Sequence, residues 1–333
     1  MLEKIRYFFT LNLFFCFIFP SLFCQESDNP SPCPCPWYLK KEVLYWTTHE
    51  DGLEYTTKSS NVLTTDNFTT KSLIHPTFHW EYGFRIQCGY KPAQNPWEFM
   101  ATWTSLASKA TGSQTENSSS PDFRGIFPVW SMSPDTLASD YASTASMHWL
   151  LDTTIIDVDA LYLLCDWDSL QITPIIGLRG AILNQKLHVK YSGGTFFDGI
   201  DDNIMRNKFS GGGPKFGFSG KYLICPKISF IGLATIAPLY GHFDTSHREF
   251  YLDTQRFSQN AVIDHFVLSC DFRVGLEWKG KILECMPEVA LALSWEGHDF
   301  FRQNKLYRGT FDFFKKDRDL ILEGWTLYWT MCF

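Results

Sequence analysis

The sequence predicts an all-β fold: one closed antiparallel transmembrane β-barrel of about ten strands, with twelve as the alternative count. Three observations carry this reading. The final stretch, residues 320–333 (LILEGWTLYWTMCF), alternates with a period of two, so successive side chains point to opposite faces. Trp325, Leu327, Trp329, Met331 and Phe333 share one register, while Gly324, Thr326, Tyr328, Thr330 and Cys332 share the other. Such a strand reads as the closing strand of a bacterial outer-membrane barrel, with Trp329, Met331 and Phe333 as its assembly signal. A soluble sheet edge carrying that stripe would invite aggregation. Second, aromatic residues reach 17% and charged residues only 20%. After the N-terminal region, no run is long and apolar enough for a spanning helix. Third, the connections between predicted strands alternate between long and short along the whole chain. Barrels with long extracellular loops and short periplasmic turns have this arrangement.

The elements follow in order. Residues 1–24 carry Lys4 and Arg6, then an apolar run interrupted by Pro20, the layout of a cleaved secretory signal peptide. Residues 25–36 (QESDNPSPCPCP) form a Pro- and Cys-rich periplasmic leader. The barrel occupies residues 37–333. Its first strand spans 37–49, and the polar stretch 50–75 is a long loop in which a hidden hairpin would raise the count to twelve. Residues 76–90 alternate most cleanly, with Phe78, Trp80, Tyr82, Phe84 and Ile86 facing outward and His79, Glu81 and Arg85 facing inward. Strands then follow at 97–108, 146–165, 170–191, 209–223, 228–243, 262–278 and 283–298. The pattern slips near Ile182 and Leu183, which predicts a bulge. Polar loops are expected at 109–145, 192–208, 244–261 and 299–319.

If the apolar faces meet lipid, the charges on the opposite faces line the interior. The candidates are Glu81, Arg85, Glu98, Asp157, Asp159, Arg179, Lys215, Lys221, Asp271, Arg273, Glu277, Glu288 and Glu296. Rings of charge along a pore set its selectivity. The same charges, paired across a small barrel, would instead fill it.

Five segments, EVLYWTTHEDGLEYTT (42–57), HWEYGFRIQCGY (79–90), PIIGLRGAILNQKLHVKY (174–191), FSGGGPKFGFSGKYL (209–223) and LYGHFD (239–244), resemble the pore-forming major outer membrane proteins of Legionella and their chlamydial relatives. The resemblance runs from about residue 38 to the C-terminus. It implies a porin in a Gram-negative outer membrane, passing small hydrophilic solutes or ions. Lys215 stands where that family suggests an Arg. The alternative from the residues is a plugged structural or adhesin barrel, disulfide-linked in the envelope, with loops that bind a host or envelope partner.

Eight cysteines follow the signal-peptide cleavage point. Cys33, Cys35, Cys88, Cys165, Cys225, Cys285 and Cys332 map to periplasmic ends, turns or the leader, and are disulfide candidates. Cys270 lies mid-strand and is expected to stay free. The expected partners are outer-membrane lipid, the barrel assembly machinery, and disulfide-linked homo- or hetero-oligomers. A net charge of −7 argues against nucleic acid. His242, Asp244, His247, His298 and Asp299 sit at strand exits, but no spacing fixes a nucleophile and its base. The expectation is a non-enzyme, with no catalytic residues, no metal site and no cofactor.

Overall fold

The computed structural model describes residues 36–59, 71–92, 95–116, 125–131, 141–167, 169–280, 289–306 and 318–332. The proposed signal peptide, Cys33, Cys35, Cys285, Glu288 and Phe333 lie outside them. Met331 and Cys332 fall within the last strand, but their side chains are not described.

The chain is nearly all β. Long strands are β1 (Trp37–Glu50), β5 (Glu81–Tyr90), β6 (Trp97–Thr115), β8 (Thr144–Tyr162), β10 (Leu170–Ser192), β11 (Ile200–Cys225), β12 (Ile228–Tyr251), β13 (Thr254–Gly280), β14 (Val289–Phe301) and β15 (Leu320–Cys332). Each pairs antiparallel with two neighbours, and the pairings return on themselves, β1 meeting β15 and β10 meeting β11. Two short strands join this ring, β4 (Thr77–Phe78) against β6 and β9 (Cys165–Asp166) against β10. A separate three-stranded sheet is made by β2 (Thr56–Ser59), β3 (Lys71–Ile74) and β7 (Ile126–Pro128). The hairpin suspected within residues 50–75 therefore exists, but it joins this small sheet and not the ring.

Several expectations are corrected. Residues 192–208 and 244–261 are mostly strand, because β11 begins at Ile200 and the β12–β13 hairpin turns only at Leu252 and Asp253. Those two residues hold positive φ of 49° and 61°, as a tight two-residue hairpin turn requires. At this end of the ring, the strands themselves supply the length expected of loops. The strand expected over 76–90 breaks between β4 and β5. Phe78 pairs with Ala110, whereas Gly83 pairs with Leu106, so one extra residue is inserted. The insertion reverses the faces. Phe78 turns toward the buried Trp149, and His79 bonds Thr111 instead of facing the interior.

The bulge expected at Ile182–Leu183 is absent. β10 keeps one continuous register against both β8 and β11. What changes there is chemistry. Below this level the inward residues include Thr173 and Arg179, and the outward ones Ile176, Leu178 and Ile182. Above it the inward residues are Leu183, Gln185, Leu187, Val189 and Tyr191, and the outward ones Asn184, Lys186, His188 and Lys190. β11 inverts likewise, from outward Phe216 and Phe218 to outward Lys208 and Arg206. An exposed apolar belt thus surrounds only part of the ring. On β13 it runs from Phe266 to Leu276, which matches the roughly 9–11 residues that a tilted strand needs to span a bilayer. Cross-strand aromatic pairs mark its two edges: Trp37–Tyr90 and Trp97–Tyr162 on one side, Tyr45–Tyr82 and Trp295–Trp325 on the other.

Candidate functional site: the interior of the ring

The interior has two layers. Nearest the end with long connections, inward side chains form a buried apolar plug. Leu44 and Trp46 of β1, Trp149 and Leu151 of β8, Leu183 of β10, Phe209 of β11, Phe243 of β12 and Phe300 of β14 all belong to it. The small sheet extends the plug outward. Trp130, just after β7, donates its indole N–H to the Glu54 carbonyl (2.9 Å), and Tyr191 Oη accepts from the Val129 amide (3.1 Å).

Beneath the plug the inward residues are charged, and they meet across the ring. Arg85 Nη1 contacts Glu42 (2.6 Å) and Glu296 (2.9 Å), and its Nε donates to Thr104 Oγ1 (2.9 Å). Arg273 reaches the same two carboxylates at 3.1 and 2.8 Å. Arg179 grips Asp157 with two parallel bonds of 2.8 Å and pairs with Asp271 at 2.6 Å. Lys215 bridges Asp157 and Asp159, each at 2.8 Å. His298 joins the halves, with Nδ1 2.8 Å from Asp271 and Nε2 3.2 Å from Glu296. Lys40 completes the set at 3.0 Å from Glu42.

Five carboxylates (Glu42, Asp157, Asp159, Asp271, Glu296) therefore face five cations (Lys40, Arg85, Arg179, Lys215, Arg273). The members come from β1, β5, β8, β10, β11, β13 and β14. Gly177 gives Asp159 its room, since a Cβ there would lie 2.2 Å from the carboxylate oxygen. Charges taken out of water are costly unless they are paired and hydrogen-bonded; here every charge has an ion-pair partner, and Asp159 Oδ1 is left without a hydrogen bond. Trp46 lids the network: its indole packs near His298 (4.7 Å) and Arg85 (5.3 Å) and donates to Thr326 Oγ1 (3.1 Å).

Between the network and the end with short turns lies a cavity of about 370 Å³. Its far wall is Arg85, Arg179, Asp271 and His298, and its mouth includes Lys91, Glu98 and Lys221. None of the buried plug residues named above lines it.

Of the residues expected in the interior, Arg85, Asp157, Asp159, Arg179, Lys215, Asp271, Arg273 and Glu296 are brought together in the network. Glu277 sits nearer the mouth, held by Lys221 and by Tyr328 Oη (2.7 Å). Glu81 instead pairs with Lys109 (2.8 Å) beside the inserted residue. The sequence reading missed Lys40, Glu42 and His298. The even register of β1 held the signal for the first two, but Leu44 and Trp46 continue that register into the plug and disguise it as an apolar face. Of the residues considered for an enzyme, His298 is in the network, His247 bonds Asn203 (3.1 Å), and His242 pairs with Asp264 on the outer face.

Cys88, Cys165 and Cys225 are free thiols within this chain, as is Cys270. Among the described residues there is no disulfide.

The family profile of the Legionella pneumophila major outer membrane protein precursor matches residues 31–332. The chain belongs to this family. No curated protein matches it. Among solved structures it is similar to the outer membrane protease OmpT of Escherichia coli (11% identity, 92% of this chain and 100% of that one, TM-score 0.47). It is also similar to a monoaromatic hydrocarbon channel, a TodX mutant (6%, 90% and 91%, 0.29), and to a Pseudomonas aeruginosa FadL homologue (7%, 89% and 90%, 0.28).

Proposed function

We propose that this family member is a ten-stranded outer-membrane barrel whose interior is closed at rest, serving the envelope as a structural and surface-displaying protein. The long-strand end and the small sheet face outside, and the short turns face the periplasm. One observation carries the reading: a charge-balanced network and an apolar plug lie in series across the interior. Water-filled pores leave charges solvated along a continuous path. Here Glu42, Arg85, Arg179, Asp271 and Glu296 are each at most 5% exposed.

The second reading is a porin for small hydrophilic solutes or ions, opened by rearrangement of the plug. The charged cavity of about 370 Å³ favours it, since it already prepares a polar path through the lower half. Swelling of proteoliposomes in small sugars separates the two. The closed barrel leaves the swelling rate at that of protein-free vesicles; rapid swelling would establish the porin.

A further inference from the structure

Just beyond the apolar belt, the outer face of β10 and β11 carries three exposed cations close together. Lys186 lies directly opposite Arg206 in the antiparallel pairing, and both are exposed. Like charges directly opposed across two strands destabilise a sheet unless something neutralises them. Lys208, two residues further along β11, is also exposed. None of the three has an ion-pair partner among the described residues, whereas nearby Lys190 shares Asp202 with His188. The nearest outward carboxylates, Asp152 diagonal to Lys186 and Asp244 opposite Lys208, are exposed and make no ion pair with the three cations among the described residues. Leu150 flanks Lys186 on β8, and Ser246 flanks Arg206 on β12.

We propose that this patch binds the phosphate groups of membrane lipid headgroups, centred on Lys186, Arg206 and Lys208. Its position selects that occupant. The belt ends at Ile182 on β10 and at Tyr240 on β12. Lys186 is four residues beyond Ile182, about 13 Å along the strand and less along the membrane normal, because barrel strands tilt. A lysine or arginine stem can lie back along the apolar surface and place its charge at the level of the headgroups. A phosphate between β10 and β11 would accept from both cations and remove their mutual repulsion. The inference rests on the membrane placement proposed above, but not on the closed interior, and conductance plays no part in its test.

The test uses the full chain refolded in detergent, with folding confirmed by heat-modifiable gel mobility. Binding of bisphosphorylated lipid A, of the same lipid stripped of its phosphates, and of inorganic phosphate is measured by native mass spectrometry. The phosphorylated lipid should bind and the stripped lipid should not. The variant carrying Lys186→Gln, Arg206→Gln and Lys208→Gln should bind it roughly a hundredfold more weakly, each surface cation contributing a similar share. Lys227→Gln, at the other end of the ring, should leave binding unchanged. Equal binding by the triple variant, or equal binding of the stripped lipid, would overturn the proposal. So would full competition by inorganic phosphate at equal concentration, which would make the patch a free-anion site.

Discussion

The indole of Trp46 packs against the imidazole of His298, with ring centroids 4.7 Å apart and planes tilted by 34°. That contact is where the apolar plug meets the charged network. Trp46 is fully buried although it stands on a strand whose outer face carries exposed aromatics. Trp46→Ala would remove a large part of the seal and leave a cavity above Arg85. The expected cost is about 3–5 kcal/mol, read as a lower urea midpoint for unfolding in detergent. An unchanged midpoint would mean that the plug is loosely packed.

Arg179 is the hub of one half of the network. Arg179→Leu leaves Asp157 and Asp271 buried without their main partner, which costs about 3–5 kcal/mol. Adding Asp157→Asn and Asp271→Asn should restore much of this, because the stranded charges are then gone. If the triple variant is no more stable than Arg179→Leu alone, pairing is not what makes this layer tolerable.

The level of the membrane is testable on one strand. Leu178 lies outward in the middle of the belt, and Asn184 lies outward just past its edge. Leu178→Lys should destabilise the inserted protein by about 2–4 kcal/mol. Asn184→Lys should stay within about 0.5 kcal/mol, as surface changes usually do. Similar effects at both positions would misplace the boundary.

The outer rim should respond to pH. Burial, with the neighbouring Glu249 carboxylate second, pushes Asp201 up to about 7. In the unfolded chain an aspartate loses its proton near pH 3.9. The folded rim therefore holds a proton that the unfolded chain releases, so stability there falls as pH rises from about 4 to about 7. Hydrogen exchange of the outer β11–β12 amides, corrected for intrinsic rates, should quicken across that window. Asp201→Asn should flatten the change.

The free thiols Cys88, Cys165 and Cys225 sit toward the short-turn end, within reach of another molecule. Cross-links between chains through these sites, or through the leader cysteines, are expected in native envelopes. Non-reducing gels should show oligomers that reductant collapses. A lone monomer band, with every thiol free by mass spectrometry, would exclude them.

Strand order and most strand cores were legible because lipid on one face imposes a period of two. Phe266, Phe272 and Leu276 made β13 plain in this way. Reading weakened wherever the surroundings of a strand reversed. In the outer halves of β10 and β11, water lies outside and the plug inside, so Leu183 and Lys186 invert the pattern without any slip of register. The outer part of β12 and β13 is polar on both faces and looked like loop, although backbone pairing continues to Tyr251. The break before Glu81 had no signal of its own, since an inserted residue preserves composition. Arg85, Arg179 and Asp271 were legible as inward charges. Their mutual pairing was not, because β5, β10 and β13 meet across the interior and not along the chain.

The central claim is that the plug and the network close the interior. Single-channel recording in planar bilayers tests it most directly, using the full chain after refolding. The closed barrel predicts a quiet baseline for the unmodified chain and discrete conductance steps once Trp46→Ala is combined with Phe209→Ala and Phe243→Ala. Frequent, stable steps from the unmodified chain, with a conductance that the triple variant does not change, would contradict it.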